Sequence, residues 1–146
     1  MEKIINDFTI NIATANGTGS QSANLILLNA LFRMGTHASG KNLFPSNIAG
    51  LPTWYIVRVS DYGYQAPGDN THIQVVMNID TWNEDIADLK PGTVLIHNTD
   101  VKAPVNRDDL IVYPVPMTSM ARKINPKLSK MVANMIYVGV MAEMLE

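Results

Sequence analysis

The chain has 146 residues, of which 47% are hydrophobic and 16% charged, so it is long and apolar enough to fold as one globular domain rather than stay disordered. A formal net charge of −2 provides no basic footprint for nucleic acid. The absence of cysteine excludes disulfides, a thiolate nucleophile and cysteine-ligated iron–sulfur clusters within this chain, and it is typical of a cytoplasmic protein, the localisation we expect.

The N-terminus leads directly into a strand pattern. Met1-Glu2-Lys3 precedes it without the architecture of a signal peptide, and no apolar run reaches membrane-spanning length, so we expect no membrane segment. Phe8, Ile10 and Ile12 alternate with polar or small residues, which predicts a first strand over Phe8–Ala15.

A glycine-spaced loop joins this strand to a helix that is apolar on nearly every side. Gly17 and Gly19 predict a tight turn, and Ser20 is placed to cap the helix by accepting a backbone hydrogen bond. Apolar residues cover almost the whole circumference as far as Gly35, the expected C-terminal stop. This pattern predicts a helix that is buried all round.

The rest of the chain alternates short strands, short helices and turn-rich loops. The patterns predict a strand near His37–Ser39, strands over Trp54–Ser60 and Thr71–Asn78, a helix capped by Thr81 or Asn83 and running through Leu89, strands over Thr93–His97 and Leu110–Val115, a helix near Met117–Arg122, and a Met-rich helix over Leu128–Leu145.

This order of elements predicts an α/β fold. We expect a Rossmann-like three-layer sandwich with a mostly parallel or mixed central sheet, in a single domain over residues 1–146. The last helix stops abruptly at Glu146, from which we expect the chain to be a fragment of a longer polypeptide.

The stretch from Gly17 to Ser22 approaches the fingerprint of a dinucleotide-binding turn. In such turns glycines let backbone amides approach a phosphate at a helix N-terminus. Ser22 replaces the third glycine, and the acid that binds the NAD ribose about 20 residues further on is missing; Lys41 lies in that region instead. The pattern disfavours NAD and is compatible with a ligand that carries an extra phosphate, the alternative being a tight turn that binds nothing.

Prolines and a central glycine restrict the loop from Pro45 to Pro52. It follows the second predicted strand, where the second βα connection of a doubly wound sheet would emerge on the ligand side. Its apolar residues between polar ones are compatible with contact to another protein surface or with packing under the rim of the sheet.

No catalytic set is predicted. His37, His72 and His97 lack the spacing of a metal site, and no nucleophile elbow, Walker loop or convincing carboxylate pair is present. Asn98-Thr99-Asp100 follows a central strand and forms either the lining of a crevice or a plain turn. We therefore predict no catalytic residue and no metal ligand in this chain.

Three stretches carry a family resemblance that runs, in order, over essentially the whole chain. They are GTGSQSANLILLNALFRMG, GKNLFPSNIAGLPTWYIVRVS and NMIYVGVMAEML. In this order they resemble the gamma domain of 2-oxoacid:ferredoxin oxidoreductases. Many pyruvate-type gamma chains carry a Glu-Ser-Arg-Gly-Gly-like pattern at Pro45 to Gly50. The sequence from Ser46 to Pro52 instead is similar to the branch in which gamma and alpha domains are fused, often assigned to 2-oxoglutarate.

The resemblance implies a place in a larger enzyme. That enzyme decarboxylates a 2-oxoacid on thiamine diphosphate, transfers the acyl group to coenzyme A and passes electrons through iron–sulfur clusters to ferredoxin. Thiamine diphosphate and the clusters lie in other domains or subunits, so this domain is not catalytic in isolation. Its implied partners are the alpha domain and the beta subunit.

The resemblance also implies roles for individual residues. Gly17, Thr18, Gly19 and Ser20 would contact the phosphates of coenzyme A, and Lys41 would face its ribose phosphate. The proline-bounded loop would face the neighbouring domain.

Two alternatives remain open on the residues alone. The chain could be a stand-alone nucleotide- or coenzyme-A-binding module without catalysis. It could also be a NAD-dependent dehydrogenase, although the missing ribose-binding acid and the missing catalytic set count against this.

Overall fold

A computed structural model describes residues 6–45 and 48–145. The strands are β1 (Asp7–Ala15), β2 (Ala38–Leu43), β3 (Pro52–Ser60), β4 (Ile73–Val76), β5 (Val94–Asn98) and β6 (Ile111–Val115). The helices are α1 (Ser20–Arg33), α2 (Trp82–Ala87), α3 (Met117–Ile124) and α4 (Ser129–Met144), with short 3-10 turns at Thr99–Val101 and Pro126–Leu128. The order and type of these elements agree with the sequence predictions.

The six strands form one mixed sheet in the order β2-β3-β1-β4-β5-β6. β1, β4, β5 and β6 run parallel to one another, whereas β3 pairs antiparallel with both β1 and β2. Helices α1, α3 and α4 cover one face, and α2 covers the other. The predicted three-layer α/β sandwich with a mixed sheet is confirmed.

One connection differs from the doubly wound expectation. The proline-bounded loop joins β2 to β3 as a hairpin and does not lead into a helix. Because β2 runs parallel to β1, the loop still emerges at the edge where the parallel strands end. Its position at this edge was therefore predicted correctly, while its role as a βα connection was wrong. Ser46 and Asn47 lie outside the described residues.

The larger core lies between the sheet and the three helices α1, α3 and α4. Ile10, Ile12 and Val57 of the sheet are fully buried there. Two polar contacts hold α4 in place. The first is buried: the Tyr137 hydroxyl donates to Asn24 Oδ1 of α1 at 2.8 Å. The second, from Asn134, involves the glycine loop and is described below.

Helix α1 is not buried all round, contrary to the prediction. Leu25, Ile26 and Phe32 are 44%, 48% and 66% exposed. A single helical layer packs on the sheet with one stripe only, so an all-apolar helix in that layer leaves the opposite stripe uncovered. The apolar pattern of α1 therefore leaves an exposed apolar stripe on the outer side of the helix.

The smaller core lies under α2 on the opposite face. Trp82, Leu89 and Leu95 are buried in it. Asp85 accepts hydrogen bonds from the Trp54 indole at 2.7 Å and the Thr81 hydroxyl at 2.5 Å, which attaches α2 to the sheet. Burial raises the pKa of the Asp85 carboxyl, and the two donors satisfy both of its oxygens.

Candidate functional site

The glycine loop is held in one conformation by left-handed backbone and by hydrogen bonds. Gly17 and Gly19 have φ values of 79° and 83°, a region that only glycine adopts without penalty. The Thr18 hydroxyl donates to the Ala15 carbonyl at 2.8 Å, and Asn134 Nδ2 donates to the Thr18 carbonyl at 2.9 Å. The Thr18 side chain is therefore a structural element of the turn, which leaves its backbone amide as the group able to meet a ligand.

The N-terminus of α1 carries no side-chain cap among the described residues. Gly19 is the residue before the helix, and Ser20, predicted as its cap, is the first helical residue. Ser20 is buried, and its Oγ accepts from the Thr14 hydroxyl at 2.9 Å, so that prediction was wrong. The first-turn amides, which have no intrahelical acceptor, remain available at this end.

The β2–β3 loop packs directly against the glycine loop. Asn16 N donates to the Leu51 carbonyl and Gly50 N to the Asn16 carbonyl, both at 2.8 Å. A Cβ on Gly17 would lie 3.2 Å from the Ala49 Cβ. The β2–β3 loop thus lies directly beside the glycine loop, and its Ile48 side chain is exposed to solvent.

A cleft of about 340 Å³ opens at the first turn of α1, between that turn and the adjoining ends of β2 and β3. We call it the α1 cleft. Its lining is more polar than apolar, with the aromatic side chains of Phe44, Trp54 and Tyr55 on the strand side, and it carries no charged side chain among the described residues. It includes Gly17, Gly19, Ser20, Gln21, Ser22, Asn24, Asn42 and Thr53.

A second cleft, of about 490 Å³, lies on the other side of the glycine loop. The chain leaves β1 to form α1 on one face of the sheet and leaves β4 to form α2 on the other. The cleft lies at the carboxyl ends of these two neighbouring strands, so we call it the switch-point cleft. In open α/β sheets this is where ligands bind. Its lining includes Gly17, Thr18, Asn78, Asn98, Lys130 and Asn134.

The structure brings four of the five predicted site residues together and separates the fifth. Gly17, Thr18, Gly19 and Ser20 form the wall between the two clefts. Lys41 lines neither cleft. Its neighbours in β2 face the α1 side, because Gly40 approaches Leu28 and Asn42 lines the α1 cleft, and strand alternation places Lys41 on the opposite face.

Several lining residues were missed by the sequence analysis. Lys130 contributes a charge from the first turn of α4. Asn78 lies just after β4, and its polar side chain at a strand end is the signal that could have identified it.

Asn98 was predicted to lie in either a crevice or a turn, and it does both. It lines the switch-point cleft, and its Oδ1 accepts from the amides of Met117 at 3.1 Å and Asp100 at 3.3 Å. Asp100 in turn accepts from the Ser119 amide and hydroxyl, and these bonds lower the pKa of its carboxyl. The N-terminus of α3 is therefore capped within the chain, in contrast to that of α1.

Over residues 6–45 and 48–145, no cluster of three or more histidine, aspartate or glutamate side chains has the arrangement of a metal site. Within the same ranges no helix is both long and apolar enough to cross a bilayer.

His97 is buried near this edge on the α2 side of the sheet. It is 6% exposed, its ring lies edge-on to Trp82 at 5.4 Å, and its Nδ1 has no partner among the described residues. Burial lowers its pKa below the usual value. Burial also lowers the pKa of His72, with Arg58 adding to the shift, although Nδ1 of that ring accepts from the Thr9 amide.

We expect His97 to make folding stability fall as the solution is acidified. Because burial favours the neutral ring, this stabilisation is complete above the unfolded pKa of about 6.5 and is lost progressively as the pH falls from that value through the lower pKa of the folded state. His97→Phe should flatten the slope of the free energy of unfolding between about pH 7 and pH 5, by at most about 1.4 kcal/mol per pH unit. Urea titrations at several pH values measure the slope. Exposed His37, changed to Gln, is the control, and an unchanged slope in His97→Phe would contradict the assignment.

Comparisons with known proteins give a family and a fold. The family model for pyruvate ferredoxin/flavodoxin oxidoreductase matches residues 9–146. Among curated protein sequences none matches.

Three solved structures show the same fold. A 2-oxoglutarate:ferredoxin oxidoreductase from Magnetococcus marinus, solved with 2-oxoglutarate, coenzyme A and succinyl-CoA bound, matches with a TM-score of 0.85 and 24% identity over 96% of this chain and 24% of that chain. The gamma subunit of a keto/oxoacid ferredoxin oxidoreductase from Geobacter sulfurreducens matches with a TM-score of 0.71 and 19% identity, covering 92% and 75%. A pyruvate oxidoreductase subunit from Thermotoga maritima matches with a TM-score of 0.67 and 18% identity, covering 94% and 75%.

The chain thus spans about a quarter of the Magnetococcus marinus chain and about three quarters of each of the other two. These likenesses confirm the α/β architecture as that of an oxidoreductase gamma subunit. Since the family model covers all but the first eight residues, the chain belongs to the pyruvate ferredoxin/flavodoxin oxidoreductase family.

Proposed function

We propose that this chain is the gamma-type domain of a 2-oxoacid:ferredoxin oxidoreductase and that it binds phosphate groups of coenzyme A at the N-terminus of α1. The observation that carries the proposal is the uncapped first turn of α1, which opens into the α1 cleft. Residues 1–146 form one domain in this proposal, acting beside the thiamine-bearing alpha domain and the beta subunit. The Magnetococcus marinus structure, with coenzyme A bound, supports this choice of ligand.

The electrostatics of the α1 cleft suit a phosphate. The aligned peptide dipoles of a helix place a partial positive charge at its N-terminus, worth about 0.3–1 kcal/mol for an adjacent anion at a surface. The first turn of α1 contains no acidic residue that would occupy this end. Gly17 and Gly19 leave the amides of the preceding turn unobstructed by side chains.

The exposed apolar surface supports a role in subunit packing. In addition to the uncovered stripe of α1, Met131 and Met135 of α4 are 53% and 42% exposed. Phe44 and Ile48 of the β2–β3 loop are 52% and 66% exposed. An apolar surface distributed in this way marks a protein contact, and we propose that the alpha domain and the beta subunit cover it.

The remaining chemistry lies elsewhere in the assembly. The chain has no cysteine for an iron–sulfur cluster, so we propose that thiamine diphosphate and the clusters are carried by other domains and that ferredoxin docks on those. The 2-oxoacid we propose is 2-oxoglutarate, which is bound in the Magnetococcus marinus structure. The site of action is cytoplasmic.

A negative charge introduced without a change of shape tests the proposed coenzyme A contact. Gln21 lines the α1 cleft in the first turn of the helix. Gln21→Glu adds a carboxylate there, which favours the helix by its dipole but repels a phosphate. In the assembled enzyme we expect the KM for coenzyme A to rise about tenfold, corresponding to roughly 1.4 kcal/mol. The exchange of carbon dioxide with the 2-oxoacid in the absence of coenzyme A should be unchanged.

Gln65→Glu is the matched control. Gln65 is exposed in the loop between β3 and β4, lines neither cleft, lies outside the exposed apolar surface, and undergoes the same substitution. We expect its KM for coenzyme A to stay at the wild-type value. An unaltered KM in Gln21→Glu, or equal shifts of the KM in both variants, would contradict the proposal that coenzyme A binds at the N-terminus of α1.

A further inference from the structure

We propose that the switch-point cleft is a second anion subsite, that Lys130 is its cation, and that it holds the ribose phosphate of coenzyme A. The inference rests on the proposed function, because it assigns the other end of the same ligand. It replaces the role that the family resemblance implied for Lys41.

The two clefts are placed for a ligand with two separated anionic groups. Both are lined by Thr14, Asn16 and Gly17, so the glycine loop forms the partition between them. The α1 cleft offers backbone amides and no charge, whereas the switch-point cleft offers a cation. Coenzyme A carries a diphosphate and, separately, a phosphate on its ribose. If the diphosphate binds in the α1 cleft, the ribose phosphate lies on the other side of the glycine loop, where the cation of the switch-point cleft can neutralise it.

Lys130 is in an environment that lacks a compensating charge. It is the only charged side chain lining the switch-point cleft in the part of the chain that the structure describes. It forms no ion pair there, since the ion pairs of the described ranges are Arg58 with Asp7 and Arg107 with Asp109.

The position of Lys130 within its helix is unfavourable by itself. It lies in the first turn of α4, which contains no acidic residue. A cation at this end opposes the helix dipole, an arrangement that costs stability until an anion binds. Residues that lower the stability of the fold at their own position are expected at functional sites.

The cleft also contains an unused donor. Asn78 lines it, and its Nδ2 is buried without a partner among the described residues, while its Oδ1 accepts from the Asp80 amide at 3.1 Å. A buried donor without an acceptor is costly and is rare in folded proteins. By contrast, Asn98 Nδ2 donates to the Thr118 hydroxyl and Asn134 Nδ2 donates to the Thr18 carbonyl. These two side chains therefore have a structural role in the lining of the cleft. A phosphate oxygen would satisfy Asn78 and neutralise Lys130.

The experiment compares coenzyme A with 3′-dephospho-coenzyme A in the assembled enzyme. Lys130→Gln should raise the KM for coenzyme A about tenfold and leave the KM for dephospho-coenzyme A at the wild-type value. Lys127→Gln is the matched control, because Lys127 is an exposed lysine of the preceding turn that lines neither cleft. It should change neither KM. The thermal midpoint of Lys130→Gln should equal or exceed that of the wild type, which separates loss of the ligand contact from loss of the fold.

Two outcomes would overturn the assignment. The first is an equal effect of Lys130→Gln on both ligands, or none on either. The second comes from adding inorganic phosphate to reactions with dephospho-coenzyme A: a phosphate-dependent change in KM that Lys130→Gln abolishes would assign the cleft to a free anion. Failure here is distinguishable from failure of the proposed function, because Gln21→Glu reports on the α1 cleft alone.

Discussion

We expect Gly40→Ala to lower the free energy of unfolding by about 2 kcal/mol, since forced overpacking of a folded core costs about 1–3 kcal/mol. A Cβ on Gly40 would lie 2.1 Å from the Tyr55 hydroxyl oxygen, 2.7 Å from its Cζ and 2.9 Å from Leu28 Cδ2. Tyr55 is 5% exposed in the larger core and also lines the α1 cleft, so withdrawal of its ring from the new methyl group costs it core contacts. Urea titration of the purified domain or complex measures the loss.

Gly139→Ala is the matched control and should act in the opposite direction. Gly139 lies in α4, and a Cβ there would meet nothing within 4 Å. Removing glycine from a helix interior stabilises by about 0.5–1 kcal/mol. The same chemical change should therefore destabilise at one position and stabilise at the other.

Removal of the nearest clashing atom identifies the cause of the Gly40 effect. Combined with Tyr55→Phe, the Gly40→Ala change should cost less than it does in the wild type, because the closest contact is then gone. A Gly40→Ala variant as stable as the wild type would mean that Tyr55 moves away freely, contrary to its packing against α1.

The elements could be predicted from the sequence because their signals are local. β1 is marked by alternation over Phe8 to Ala15, and α3 and α4 by apolar spacing near Met117 and Leu128, and all three were found within a residue or two. Pairing is not local. Nothing in the β2 segment itself indicates that it forms a hairpin with β3, since the hydrogen-bonded partner of each of its residues lies beyond the β2–β3 loop.

The candidate site was predicted in part for the same reason. Gly17 to Ser20 form a contiguous turn, and its glycines indicate the tight backbone conformation directly from the sequence. Lys41 was identified by the spacing of a regular βαβ unit, where the second strand lies beside the first. Here β3 separates β2 from β1, and the side chain faces the other way. Lys130 reaches the site from α4, more than a hundred residues after the glycine loop, and only the packing of α4 on α1 brings it there.

Replacing Gly19 tests how far the turn itself sets the ligand site. Its φ of 83° is in the left-handed region, where a β-branched residue is strained at a cost of about 1–3 kcal/mol. A Cβ there would make an ordinary van der Waals contact with Met131 Cγ at 3.6 Å. Backbone strain, rather than a steric clash, therefore decides how much stability is lost. We expect Gly19→Val to lower the thermal midpoint by several degrees, since about 1 kcal/mol shifts it by roughly 2–8 °C.

Gly19→Val should also weaken the use of coenzyme A, because a relaxed backbone turns the amides before α1 away from the α1 cleft. Gly19→Asn separates the two effects, since asparagine tolerates left-handed backbone far better than valine. In the assembled enzyme we expect the asparagine variant to keep most of its thermal stability and a KM for coenzyme A near the wild-type value, while the valine variant loses both. Carbon dioxide exchange with the 2-oxoacid, measured without coenzyme A, should persist in every correctly assembled variant. If valine and asparagine raise the KM equally at unequal stability, the side chain rather than the backbone obstructs the ligand, and the amides of the turn are not what coenzyme A contacts.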